Sequence, residues 1–354
     1  MKALVLSGGS GTRLRPFSYS MPKQLIPIAN KPVLEHVLEN IRAVGITEVG
    51  VIVGDWADEI AEVIGDGSRL GLRITLIPQE KPLGLAHCVA LARPFLGDDD
   101  FVMYLGDNMV PGGIAGIAAD FTARRPDALV VVHKVRDPRA FGVAELAPDG
   151  SVQRLVEKPE RPRSDLALIG VYFFTAAIHE AVAAVEPGAR GELEITDAIQ
   201  WLVTRGSRVT ASEYSGYWKD TGRVEEVLAC NRQLLGEQDA RVDGEVDAAS
   251  RLTGRVVLEA GARLVRSTVT GPAVIGAGTV IEDSAVGPHT SIGRDCLLRE
   301  TTLTDSIVMG GASITAVTGL RGSLIGRNAV VGAGAEGDGH RLVIGDHTRI
   351  EVAA

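Results

Sequence analysis

The chain has no paired cysteines to organise it. Cys88, Cys230 and Cys296 are odd in number and scattered, with neither metal-ligand spacing nor a disulfide framework, so a reducing cytoplasm is the expected compartment. It also lacks a block of basic residues. With a net charge of −9, it offers no field to attract nucleic acid or an anionic membrane, and phosphate binding must fall to a few placed cations. Long apolar runs are missing as well. No stretch nears the ~18 residues of a membrane span, and the N-terminal run Ala3–Leu6 is too short for a signal peptide and runs straight into glycines. What remains is a soluble composition, 23% charged and 45% hydrophobic over 354 residues, enough for two domains.

Two textures share the sequence. Up to about Leu235, short apolar runs alternate with helix-like segments. Ala3–Leu6, Val49–Val53, Ile74–Ile77, Phe101–Leu105 and Leu129–Lys134 read as buried strands; Val33–Val44, Glu59–Ile64 and Leu85–Ala92 read as helices. This alternation predicts an α/β domain, Rossmann-like, with a mainly parallel sheet covered on both faces and ligands beyond the carboxyl ends of its strands. Around Gly236–Glu245 the chain turns polar, which sets the expected domains at 1–240 and 241–354. Beyond it an apolar residue followed by a small or acidic one recurs about every six positions. Ile275-Gly276, Ile281-Glu282, Val286-Gly287, Ile292-Gly293, Ile325-Gly326, Val331-Gly332 and Ile344-Gly345 are instances. That spacing predicts a β-helix of hexapeptide repeats. A Gly-rich flexible tail would lack the regular Ile and Val residues.

Ser7-Gly8-Gly9-Ser10-Gly11-Thr12-Arg13-Leu14 follows the first strand directly. Glycines let the backbone approach a phosphate and turn N–H groups toward it, and Arg13 can add a bidentate contact. The loop lacks the Gly-Lys-Ser/Thr ending of a Walker loop and has Leu14 where the dinucleotide fingerprint has its third glycine. Met21-Pro22-Lys23-Gln24-Leu25 comes ten residues past Arg13 and offers a second cation before an expected helix start, although Lys23 could equally be a solvated charge. Asp107, at the end of the fourth strand, is placed either to hold Mg²⁺ or to cap a turn.

Gly-Gly-Ser-Gly-Thr-Arg-Leu followed by Pro-Lys-Gln-Leu-Ile-Pro resembles the nucleotidyltransferase family that makes nucleotide sugars, closest to the glucose-1-phosphate thymidylyltransferases in their long form with a C-terminal left-handed β-helix. The resemblance implies a nucleotide site of Gly8, Gly9, Ser10, Gly11, Thr12, Arg13, Gln24, Gln79, Gly84 and Asp107. Gln79 and Gly84 belong to a base loop, Pro78–Ala86, in which a Gln amide suits a pyrimidine edge. His87 and Cys88 depart from the Gln-Ala expected there. It further implies a sugar-phosphate site of Asn108, Gly142, Glu157, Lys158, Tyr172 and Trp218, and Mg²⁺ on Asp107 and Asp220. Phe141 stands where the family often has Tyr. Gly191–Asp197 matches either as a scaffold with an acidic edge or as a capped helix start.

The activity implied is attack of a sugar 1-phosphate on the α-phosphorus of dTTP, giving dTDP-glucose and pyrophosphate. Arg13, Lys23 and Lys158 would be the catalytic cations. Three alternatives stay open at the sequence level. UTP or another hexose 1-phosphate could be used, since thymine and uracil share hydrogen-bonding edges. The β-helix could be an acyltransferase with His289, His340 or His347 as base. The chain could be a non-catalytic regulatory subunit. The partners expected are the two small-molecule substrates and, through the β-helix, further copies of the same chain; nucleic acid and membrane are not expected.

Overall fold

The structure is a computed structural model and describes residues 1–9, 11–188 and 190–332. Contacts divide the chain into two units. The first joins Met1–Ser10 to Val33–Asp220, and the second joins Gly11–Pro32 to the chain from Thr221 onward. This division differs from the boundary expected at 240. The texture does change there, between the end of helix Val224–Glu237 and the strand Arg241–Val242, but that helix groups with the second unit.

The first unit is built on a nine-stranded sheet. Its strands are β1 (Lys2–Leu6), β2 (Glu48–Val53), β3 (Arg73–Pro78), β4 (Phe101–Leu105), β5 (Ala128–Lys134), β6 (Gly142–Leu146), β7 (Val152–Glu157), β8 (Leu166–Phe174) and β9 (Val209–Glu213). The order β3-β2-β1-β4 is parallel throughout, as the β-α alternation predicts. β1 and β2 are apolar on both faces and almost wholly buried, the pattern of a sheet covered on each side. Beyond β4 the direction changes. β8 pairs antiparallel with β4, β5 and β6, and β7 pairs antiparallel with β6. The register of β8 against β5 slips between Leu168 and Tyr172, a bulge centred on Gly170. Gly170 sits at φ +76°, and a Cβ there would lie 2.7 Å from Leu105 and 2.9 Å from Asn108 Nδ2. Glycine thus lets β8 pass close behind the end of β4.

In the second unit, three parallel sheets of short strands stack into a prism, fitting the left-handed β-helix expected. Val257, Val274 and Ser291 are successive register partners, so these coils take 17 residues, close to three six-residue repeats, and the next, from Ser291 to Ile307, takes 16. Leu264, Ile281, Leu298 and Ile314 stack inside, one per coil. The interior also carries hydroxyls. Ser250, Ser267 and Ser284 each accept the backbone N–H of the residue one coil later, at 2.9, 3.1 and 3.0 Å, which satisfies buried corner amides. The hairpin Pro27–Ile28/Lys31–Pro32 turns through Ala29 and Asn30, both at positive φ, and is tied in this unit to Asn231 and Ile292. Among the described residues no helix is long and apolar enough to cross a membrane.

Candidate active site

The chemistry-bearing residues of the first unit gather at the carboxyl ends of β1, β3, β4 and β7. After Leu6, the β1 backbone is gripped on both sides: Ser7 N–H donates to Ile52 O and Gly106 N–H to Leu6 O, both at 2.9 Å. Gly8 and Gly9 follow, with Gly9 at φ +112°. A Cβ on Gly8 would lie 3.2 Å from Gln79 Oε1, so the glycine loop after β1 and the loop after β3 meet there.

Gln79 ends β3 and is buried. The loop after it is docked by backbone bonds onto a distant segment: Leu193 N–H donates to Leu83 O at 2.8 Å, and Ala86 N–H donates to Leu193 O at 3.0 Å. Gly84 lies between, at φ +106°, and a Cβ there would come 2.4 Å from Leu193 O. Only glycine fits this contact.

At the end of β4, Asp107 and Asn108 are buried. Asn108 Nδ2 donates to Asp107 Oδ1 at 3.1 Å, and Trp218 Nε1 donates to Asn108 Oδ1 at 2.8 Å. The single N–H of Trp218 is thereby committed to orienting Asn108, while its ring packs edge-on against Phe141 at 5.3 Å. Asp220 is paired with Asn108 in a short antiparallel ladder. A residue far along the chain is thereby brought opposite the neighbour of Asp107. Among the described residues, no group of three or more His, Cys, Asp or Glu is arranged to hold a metal ion. Two carboxylates suit a hard divalent cation, which fills its shell with water and phosphate oxygens, better than a closed structural zinc site.

The third cluster forms where β7 ends. Glu157 Oε2 accepts from Thr196 Oγ1 at 3.3 Å and lies 3.1 Å from where a Cβ on Gly142 would be. Lys158 takes a left-handed backbone, φ +41°, held by its N–H to Phe141 O at 3.0 Å, and its ammonium lies 3.4 Å from Glu157 Oε1. Holding lysine in that region costs energy, which the surrounding bonds offset. Tyr172 is buried and stacked on Phe174; burial first, and the charges of Glu157 and Glu194 second, push its hydroxyl far above the usual tyrosine range.

Sequence reasoning stopped one residue short of a further member. Arg190 stands against three glutamates: Glu194 at 2.5 Å, and Glu157 and Glu192 each at 3.4 Å. Glu194 occupies the cap position of helix Ile195–Thr204 but makes no capping bond. Between the two readings of this segment, the acidic edge therefore describes it better. Burial pushes the carboxyls of Glu194 and Asp197 above the ordinary range. Glu157, Lys158, Arg190, Glu194 and Asp197 line an open cleft of about 710 Å³. The signal available was a cation two positions before Glu192, the first of three closely spaced acidic residues.

The remaining residues of the expected site lie in the second unit. Gly11, at φ +57°, opens a turn at Thr12–Leu14 in which Arg13 is exposed and Leu14 is fully buried as its anchor. The helix start expected after Lys23 is instead one tight turn, Lys23–Leu25. Pro22 precedes it, and Gln24 and Leu25 are buried. Lys23 is half-buried. Ser10 lies outside the described residues. His289 sits on a left-handed corner of the β-helix, its carbonyl accepting from Asn231 Nδ2. His340 and His347 lie outside the described residues.

Comparison with known proteins places the chain. Residues 2–237 match the family described as nucleotidyl transferase. The chain is 55% identical to a glucose-1-phosphate thymidylyltransferase of Streptomyces griseus, with both chains covered in full. It is 52% identical to one of Streptomyces antibioticus, with 99% of each covered. A solved structure from Bacillus anthracis, provisionally assigned as a glucose-1-phosphate thymidylyltransferase and in complex with sucrose, is 33% identical at a TM-score of 0.62, over 65% of this chain and 94% of that one. The residues gathered at the strand ends, and the match over two thirds of its length, put this chain in the nucleotidyl transferase family.

Proposed function

We propose that the chain joins dTTP to glucose 1-phosphate, forming dTDP-glucose and pyrophosphate. The observation that carries this is the full-length identity to two glucose-1-phosphate thymidylyltransferases, which the placement of Gln79, Asp107, Glu157 and Lys158 at the strand ends supports. A phosphate oxygen of the sugar phosphate attacks the α-phosphorus in line. A new P–O bond forms, the α–β bridging bond breaks, and pyrophosphate leaves with the electron pair. The nucleophile is already anionic near neutral pH, so no strong general base is needed. The barrier lies in bringing two polyanions together, and positioning and charge neutralisation lower it.

In this reading Gly8, Gly9, Gly11 and Thr12 cradle the triphosphate, and Arg13 and Lys23 neutralise it, with Gln24 supporting their loop. Gln79 and Gly84 receive the base. Lys158 aligns the nucleophile, and Arg190, anchored by Glu194, is a second cation at the same end. Glu157 and Gly142 receive the sugar, while Tyr172 and Trp218 shape the floor. Asp107 and Asp220 fit Mg²⁺, which takes one or two carboxylates and fills its shell with water and phosphate oxygens; bound there it would withdraw charge from the α-phosphate region. The cysteines are free thiols, in keeping with a reducing compartment. The β-helix offers parallel faces for assembly with further copies.

The test is pyrophosphate release from purified protein with Mg²⁺ and glucose 1-phosphate, dTTP and UTP run in parallel. Preference for dTTP is expected. Equal or better use of UTP would keep the mechanism and change the nucleotide. No release with any nucleotide and several sugar phosphates would overturn the assignment.

A further inference from the structure

Two adjacent residues of the helix Leu85–Leu91 that follows the base loop, His87 and Cys88, both lie against Gln79. The amide nitrogen Nε2 of Gln79 is 3.0 Å from His87 Nδ1 and 3.1 Å from Cys88 Sγ. Sγ in turn donates to Gly84 O at 3.5 Å. Burial pushes the Cys88 thiol up to about 12, so near neutral pH it keeps the hydrogen that this bond needs. The sulfur lone pairs then remain to accept from Gln79. A primary amide nitrogen carries two hydrogens, and here one faces the sulfur and the other faces His87 Nδ1, an acceptor in the tautomer whose proton is on Nε2. With the thiol hydrogen committed to Gly84 O, turning the amide over would forfeit the Cys88 bond, and in that tautomer it would also set Oε1 against the Nδ1 lone pair. The carbonyl end is thereby fixed on the side of Gly8, 3.2 Å from where a Cβ on that residue would lie.

A Gln free to turn over can offer either a donor or an acceptor to a base. One held from behind offers only the acceptor. Thymine and uracil carry an N–H at N3, which a carbonyl oxygen accepts. Cytosine carries a lone pair at N3, which the same oxygen repels. We propose that His87 and Cys88 are positioning residues that lock the Gln79 amide with its carbonyl toward the bound base, so that the enzyme selects a pyrimidine with an N3–H and rejects cytosine. This rests on Gln79 being the base-reading residue of the proposed function.

The experiment measures kcat and KM for dTTP and dCTP, with saturating glucose 1-phosphate and Mg²⁺, in His87→Leu, His87→Gln, Cys88→Ala and Gln79→Leu. His87→Leu removes the acceptor at similar size. It is expected to lower the dTTP-to-dCTP ratio of kcat/KM at least tenfold, through the KM for dTTP, with the KM for glucose 1-phosphate unchanged. His87→Gln supplies another acceptor and is expected to restore the ratio to within about threefold. Cys88→Ala should lower the ratio by a smaller factor, and it carries the test if His87→Leu does not fold. An unchanged ratio in His87→Leu and Cys88→Ala, or an equal loss with both nucleotides, overturns the lock. If Gln79→Leu itself leaves nucleotide choice intact, the base-reading role fails instead.

Discussion

Asn231 is the residue whose removal should reveal how the loop carrying Arg13 and Lys23 is held. It is fully buried. Its Oδ1 accepts from Ala29 N–H at 2.8 Å and from Ser291 Oγ at 2.6 Å, and its Nδ2 donates to His289 O at 3.2 Å. Ala29 and Asn30 form a two-residue turn with φ of +50° and +63°. Left-handed backbone costs a non-glycine residue about 1–2 kcal/mol, so the turn depends on outside bonds. Asn231→Leu is close in size but strands three polar groups. Leaving a buried partner unsatisfied costs about 1–3 kcal/mol each, and partial relaxation leaves an expected loss of about 3 kcal/mol or more. The part that falls on the hairpin, about 1–3 kcal/mol, corresponds to amide exchange roughly 5- to 150-fold faster at ~1.4 kcal/mol per factor of ten. Hydrogen–deuterium exchange of a peptide spanning residues 24–33 reads this directly. Nucleotide kcat/KM should fall at least tenfold, because the same loop carries Lys23. Unchanged exchange in that peptide, with turnover within twofold of the parent, would refute the idea that Asn231 holds the loop.

Three further outcomes are expected. Gly84→Ala forces a Cβ to 2.4 Å from Leu193 O at a positive φ; the base loop must shift, and steady-state kinetics should show the nucleotide KM raised about tenfold. Lys158→Ala should lower kcat/KM for glucose 1-phosphate by at least an order of magnitude, and near-normal turnover would remove Lys158 from its role. Cys88, held as a thiol up to about 12, should resist iodoacetamide from pH 7 to 9 in the native protein and react fully in denaturant. Because its folded value lies above the ordinary thiol value of 9.0, its contribution to stability is full below about pH 9 and is lost as pH rises toward 12; rapid native alkylation at pH 8 would contradict this.

Much of the first unit was legible because buried strands write themselves as apolar runs. Phe101–Leu105 has the bounds expected, and Ala3–Leu6 and Val49–Val53 fall short by one residue at the start. Direction is not written that way. β8 is apolar along its length whichever way it runs, so a nine-residue antiparallel strand that pairs with three others left only Gly170, Val171 and Tyr172 visible as a motif. The repeat was legible from Ile and Val spacing, but the Ser250, Ser267 and Ser284 ladder was not, since a buried serine and a solvated one look alike in sequence. Asn231 was hidden for a related reason: its partners lie 202 and 60 residues away. Arg190 was lost behind Glu186-Pro187-Gly188, which reads as a plain loop.

In the proposed function, the segment from Arg190 to Asp197 would let two loops far apart in sequence serve one reaction. At its middle, Leu193 exchanges two backbone hydrogen bonds with Leu83 and Ala86, which fixes the base loop without any side chain. Towards its two ends, Arg190 and Thr196 both reach Glu157, beside Lys158. Helix Ile195–Thr204 carries the segment rigidly, with Gln200 Oε1 accepting the Leu155 N–H of β7 at 2.7 Å. Base loop and sugar-phosphate cluster are thus two contacts of one short, anchored stretch. Attack at the α-phosphorus requires the nucleotide and the nucleophile to be set to within fractions of an ångström. A shared backbone element does this better than two independently mobile loops would, because a displacement of either loop must be transmitted through Leu193 to the other.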